Sequence, residues 1–63
     1  MKTTEVLLGH FMDGVVRIVY YFEKCGQGYG RGVVEFKNRT LLEILSWIEQ
    51  TLCFEKENVS IVF

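Results

Sequence analysis

An Asp-Gly dipeptide near the start of the chain is the feature that most restricts the fold. Residues 4–12 and 15–23 are both rich in strand-forming side chains, and Asp13-Gly14 lies between them. This dipeptide favours a two-residue turn with positive φ at both positions, which joins two antiparallel strands. The sequence therefore predicts a β-hairpin in which Met12 faces Val15, so that the numbers of facing residues add up to 27.

The rest of the chain predicts a third strand, one helix and a short last strand. A Gly-rich connection over 24–32 leads to a strand over 32–37, which pairs antiparallel with the second strand. Thr40 and Glu43 have the spacing of a helix capping box. Apolar residues follow at the helical period through 41–53, and residues 59–63 alternate as in a strand.

The predicted fold class is α+β, in the order β-β-β-α-β. Residues 1–63 form a single domain in which one helix packs on one face of a small antiparallel β-meander. The short C-terminal strand joins the sheet beside either the first or the third strand.

The predicted register sorts the hairpin side chains onto two faces of the sheet. The face with fewer charged residues near its middle is assigned to the helix, and it carries Phe11, Ile18, Tyr20, Phe22, Val34, Phe36, Ile61 and Phe63. A single helix covers only one face of a small sheet. The other face, with His10 opposite Arg17, is therefore a predicted partner-binding surface, formed by Val6, Leu8, Met12, Val15, Val19 and Tyr21.

Composition supports a partner for this surface. Apolar residues make up 49% of the 63 positions, and so short a chain has too small an interior to enclose them all. Covering a few hundred Å² of apolar surface is worth several kcal/mol, at about 25 cal/mol per Å². That gain is comparable with the whole stability of a small domain. We expect the partner to be another protein or a second copy of the chain in a homodimer.

Two further segments supply candidate contacts. Glycines alternate with other residues over 26–32, without the G-x-G-x-x-G spacing of a dinucleotide-binding loop. We expect a flexible loop that presents Lys24, Tyr29 and Arg31, because Tyr and Arg are favoured interface residues. Trp47 lies at the edge of the apolar helix stripe, either as half-buried core or as an interface anchor.

No motif points to catalysis, a cofactor, a metal or a small-molecule substrate. His10 is the only histidine and has no nucleophile or carboxylate at a catalytic spacing. Cys25, Cys53 and His10 do not match zinc-ligand spacings. We expect free thiols and a cytoplasmic location, because residues 1–10 do not resemble a signal peptide. No apolar run is long enough to span a membrane.

Part of the Gly-rich segment resembles the third-strand signature of the RNA-recognition motif. The shared positions are Gly30, Gly32, Val34 and Phe36. Arg31 and Val33 stand where that family has base-stacking aromatics, and the tight hairpin replaces its first helix. The resemblance implies nucleic-acid binding as an alternative, although the net charge is −1. The contacts would be Arg17, Tyr20, Tyr21, Lys24, Tyr29 and Arg31.

The leading functional hypothesis is a small non-enzymatic regulator or inhibitor that binds another protein and is itself a homodimer. Phages and mobile elements often encode proteins of this kind. Nucleic-acid binding is the first alternative, and a structural subunit of a homo-oligomer is the second.

Overall fold

The computed structural model describes residues 2–62 and confirms the α+β fold. Strands β1 (Lys2–His10), β2 (Val15–Glu23) and β3 (Tyr29–Lys37) form an antiparallel meander. Helix α1 (Leu41–Leu52) follows, and β4 (Ser60–Val62) ends the described chain. The strand order is β3-β2-β1-β4, with β4 parallel to β1. The last strand therefore lies beside the first, and the sheet is mixed.

The turn between β1 and β2 is one residue longer than predicted. Asp13 and Gly14 both have positive φ, at 72° and 71°, as the sequence predicted. The backbone N–H of Phe11 donates to the carbonyl oxygen of Val15 at 2.9 Å, so Met12 belongs to a three-residue turn. His10 faces Val16, and facing numbers along most of the ladder add up to 26 rather than 27.

This one-residue shift turns the side chains of β1 to the opposite face from the one predicted. Val6 and Leu8 point towards the helix and are buried, so their predicted place on the uncovered face was wrong. The physical reason is the size of the β1 residue that faces Ile18 in the core. The predicted register would have placed Gly9 there and left a hole in the core, whereas the observed register places Leu8 there.

The core lies between α1 and the sheet. Its buried members are aliphatic: Val6, Leu8, Ile18, Ile44 and Ile48. Partly buried side chains surround them, namely Val16, Tyr20, Phe36, Leu45, Trp47, Leu52, Phe54 and Val59. The helix begins as predicted, because the Thr40 hydroxyl accepts from the backbone N–H of Glu43 at 3.2 Å and the Glu43 carboxylate accepts from the backbone N–H of Thr40 at 3.1 Å.

The Gly-rich segment is only partly a loop. Residues 24–28 connect the strands, while Gly30 and Gly32 lie inside β3 opposite Phe22 and Tyr20. A Cβ atom built on either glycine would overlap the facing aromatic ring. The alternation of glycines is therefore explained in part by packing, and the expectation of a flexible loop up to residue 32 was wrong.

Other predictions concern the cysteines and the last residue. Cys25 and Cys53 are both free and exposed in the structure. Phe63 lies outside the described residues, so its predicted place on the helix side has no structural counterpart here. No helix within residues 2–62 has the length and apolar character needed to cross a membrane.

Candidate protein-binding surface

We call the side of the sheet that faces away from α1 the open face. Within residues 2–62, no helix packs on it. Alternation along the strands places eight large apolar side chains on this side: Leu7, Phe11, Val15, Val19, Tyr21, Tyr29, Val33 and Val62. Phe11, Val33 and Val62 are between 41% and 51% exposed. The open face is thus an apolar surface with only partial cover.

Gly9 creates a hollow in the open face. The hollow has a volume of about 240 Å³, and its walls are Leu7, Phe11, Arg17, Val19 and Val62. A Cβ atom at Gly9 would come no closer than 3.6 Å, to the carbonyl oxygen of Val62, which is an ordinary contact. The space above Gly9 can therefore accept a small apolar group from another molecule without displacement of the backbone.

Arg17 borders the hollow, and its guanidinium contacts both Glu35 and Phe11. Its Nε and Nη2 groups donate to the same oxygen of Glu35 at 3.3 and 3.2 Å. The guanidinium carbon also lies 4.8 Å from the centre of the Phe11 ring. Both charged side chains are about half exposed, so the ion pair contributes at most about 1 kcal/mol to stability. Its main effect is to hold the guanidinium beside the hollow.

The structure brings together only some of the predicted contact residues. Val15, Val19, Tyr21, Tyr29 and Arg31 all belong to the open face. Among the exposed aromatic side chains of residues 2–62, Tyr29 has the largest exposed fraction, at 73%. Sequence reasoning therefore assigned the β2 residues to the correct face.

The other predicted contacts lie elsewhere. Val6 and Leu8 are core residues, and Met12 is 87% exposed at the hairpin turn. The Lys24 side chain lies against Gly30 on the helix side of the sheet. Trp47 is half-buried and packs edge-on against Phe36, with ring centres 5.2 Å apart.

Sequence reasoning missed Leu7, Phe11, Val33 and Val62 as members of the open face. A signal for the first two was present in the sequence. Pairing by the sum of 27 places Gly9 opposite Ile18, and a glycine in that position leaves the middle of a core unfilled. The hydrophobic pattern should therefore have favoured the shifted register.

A second hollow lies on the helix side of the sheet. It has a volume of about 320 Å³ and lies between the start of α1 and the hairpin turn, lined by Leu8, His10, Gly14, Val16, Asn38, Arg39, Leu41, Ile44 and Ile61. Two of these lining residues, Leu41 and Ile61, are each about half exposed. His10 lines this hollow, because it faces Val16 instead of the predicted Arg17.

Residues 2–62 contain no cluster of three or more His, Cys, Asp or Glu side chains that could hold a metal ion.

No family model, no curated protein and no solved structure matches the chain. The partial resemblance to the RNA-recognition motif thus has no support beyond the residues that carry it.

Proposed function

We propose that the protein is a small non-enzymatic regulator or inhibitor that docks on another protein through the open face. The supporting observation is the hollow above Gly9, which is walled by apolar side chains and bordered by the oriented guanidinium of Arg17. A pocket for an anchor side chain next to an Arg is a typical centre of a protein interface. The proposal includes a cytoplasmic location, where exposed thiols stay reduced.

The energetics favour a protein as the partner. Covering a few hundred Å² of apolar surface yields several kcal/mol, and the open face carries the aromatic and Arg residues that are enriched in interfaces. The expected partner inserts a small apolar side chain above Gly9. It also supplies a hydrogen-bond acceptor near Arg17, because the guanidinium has donors that Glu35 does not use.

Affinity capture from the native cell with four tagged forms, wild type and three variants, tests the proposal. Val19→Lys places a charge in the wall of the hollow, and Gly9→Ala fills its floor without a steric clash. Leu42→Lys is the matched control, because Leu42 is 77% exposed on the helix. Quantitative mass spectrometry should find a protein that wild type and Leu42→Lys retain, and that both open-face variants lose. Equal capture by all forms would exclude the open face as the docking surface.

Nucleic-acid binding is the second candidate because Arg17, Tyr21, Tyr29 and Arg31 share the open face. Tyr20 does not, since its ring covers Gly32 on the helix side. Glu35 also neutralises Arg17, which weakens the attraction for phosphate. Titration of labelled single-stranded RNA and DNA oligomers at low and high salt distinguishes the candidates. Salt-dependent binding that is lost in Arg31→Ala would favour this second function.

The remaining alternative is a structural subunit of a homo-oligomer. Light scattering that shows a stable assembly, combined with no partner in the capture experiment, would favour it. A protein captured specifically through the open face would instead favour the regulator.

A further inference from the structure

The outer edge of β3 is open for pairing. Within residues 2–62, β3 lies at one end of the sheet, and its nine residues pair only with β2. Val33 is 50% exposed and Tyr29 is 73% exposed along this strand. A long strand with a free edge is a template for pairing with another chain.

Hydrogen bonds at both ends of the β2–β3 ladder show which backbone groups point outwards. Lys24 N–H donates to the carbonyl oxygen of Gly28 at 2.8 Å, and Asn38 N–H donates to that of Gly14 at 3.1 Å. Both bonds join even-numbered residues, and bonded pairs alternate along an antiparallel ladder. The odd-numbered residues of β3 therefore direct their N–H and C=O groups away from β2.

We infer that β3 pairs with β3 of a second copy of this chain, antiparallel and centred on Val33. In this register Val33 faces its own counterpart, and Arg31 of each copy faces Glu35 of the other. Every outward-directed residue of β3 then meets another outward-directed residue, so the edge forms a continuous set of hydrogen bonds. The surface is self-complementary, as a two-fold symmetric interface requires.

Other registers fit less well. A shift of one residue places inward-directed groups opposite outward-directed ones, so the hydrogen bonds are lost. A shift of two residues in one direction brings Arg31 opposite Lys37, which are like charges. A shift of two residues in the other direction brings Glu35 opposite Tyr29 and leaves Arg31 without an acid. Only the register centred on Val33 forms both charge pairs.

On the helix side, the pairing places the two glycines of β3 opposite large apolar side chains. In the proposed register Gly32 faces Val34, and Gly30 faces Phe36 of the other copy. A residue without a side chain thus meets a bulky one in each case. Within each copy the Phe22 and Tyr20 rings already cover these glycines, so Phe36 and Val34 of the second copy would extend a row of apolar side chains beside those rings.

On the open face, the pairing extends two rows of side chains that the structure already shows. Leu7, Val19 and Val33 face one another across three strands, and the pairing joins two such rows into one apolar stripe. In the next row, Glu35 lies between its own Arg17 and Arg31 of the second copy. The inference extends the proposed function without depending on it, because edge pairing leaves the open face uncovered.

Sedimentation equilibrium over a dilution series tests the inference. Wild type should reach twice the chain mass of 7.4 kDa at high concentration. Arg31→Glu and Glu35→Arg each place like charges opposite each other twice, and each should raise the dissociation constant about tenfold or more. An equimolar mixture of the two variants should recover the dimer, because the Arg31→Glu chain has acids at both positions and the Glu35→Arg chain has bases.

Proline variants separate the edge from the fold. Val33→Pro removes an outward N–H and should give a monomer with an unchanged circular dichroism spectrum. Val34→Pro removes an N–H that points to β2 and should disrupt the sheet itself. A wild type that stays monomeric at every soluble concentration would overturn the inference. A dimer whose dissociation constant the charge variants leave unchanged would also overturn it. The same holds for a dimer that Val19→Lys dissociates and Val33→Pro does not.

Discussion

The phenol ring of Tyr20 lies over the backbone of Gly32, which faces it across the β2–β3 ladder. Phe22 covers Gly30 in the same way, and the two aromatic rings are 6.0 Å apart. Aromatic rings that cover glycines in a neighbouring strand compensate for the missing side chains. These contacts continue the packed side of the sheet towards the Lys24–Gly28 connection.

Gly32→Ala should lower the free energy of unfolding by about 1–3 kcal/mol, because the new methyl group overlaps the Tyr20 ring. Urea unfolding of the single variants and of the double variant with Tyr20→Leu measures the coupling between the two positions. The alanine should cost much less in the Tyr20→Leu background, where the ring is absent. An equal cost in both backgrounds would mean that the strand conformation, not the ring, requires glycine.

The observed register of β1 makes opposite predictions for two neighbouring leucines. Leu8→Ala removes a core side chain and should cost about 2–5 kcal/mol. Leu7→Ala, the matched control on the open face, should cost about 1 kcal/mol because Leu7 is only half-buried. Chemical unfolding of both variants is sufficient for the comparison. A larger loss for Leu7→Ala would favour the register with facing numbers that add up to 27.

The capping box makes helix stability depend on pH. The backbone N–H and the hydroxyl of Thr40 donate hydrogen bonds to Glu43 and hold the pKa of that carboxyl below its ordinary value of 4.5, with a smaller contribution from Arg39. A lowered pKa in the folded state contributes stability above the unfolded-state pKa, and this stability is lost as pH falls through the folded-state pKa.

Thermal unfolding of wild type and Glu43→Gln at a series of pH values should show this dependence. Wild type should be the more stable form at neutral pH, and the difference should shrink as pH falls below about 4.5. A difference that stays constant with pH would show that the charge of Glu43 is not involved. Thr40→Ala should cost about 1 kcal/mol at neutral pH, because it removes the other half of the box.

Cys53 ends the helix in a left-handed conformation, with φ at 52° and ψ at 44°. Only glycine adopts this conformation without a steric penalty, so Cys53→Gly should raise the free energy of unfolding by roughly 1 kcal/mol. Cys53→Ala is the control, since it removes the thiol and keeps the Cβ atom. Calorimetry should show a higher melting temperature for the glycine variant alone. A gain in both variants would assign the effect to the thiol.

Local signals in the sequence predicted most of the secondary structure. The Thr40–Glu43 box and the apolar period located α1, and Asp13-Gly14 located the first turn. Each of these signals acts within a few residues, so the surrounding fold has little influence on it. The order of the elements and the fold class followed from them.

The register of β1 could not be predicted from the turn alone. Two- and three-residue turns both accommodate Asp13-Gly14, and the choice depends on which side chain fills the core opposite Ile18. Because the predicted register of β1 was wrong by one residue, the residues predicted for the open face included Val6 and Leu8 in place of Leu7 and Phe11. The sequence around Gly30 and Gly32 is typical of a loop. The aromatic rings that pack on these glycines belong to a different strand, so no local signal indicates the packing.

The two edges of this sheet differ in length, with nine residues in β3 and three in β4. A sheet with two long, complementary edges could add copies at both ends and grow into a fibre. Here the short β4 offers little template for a further strand. The pairing inferred for β3 would occupy the longest strand at either edge within residues 2–62 of each copy, and assembly would then stop at two.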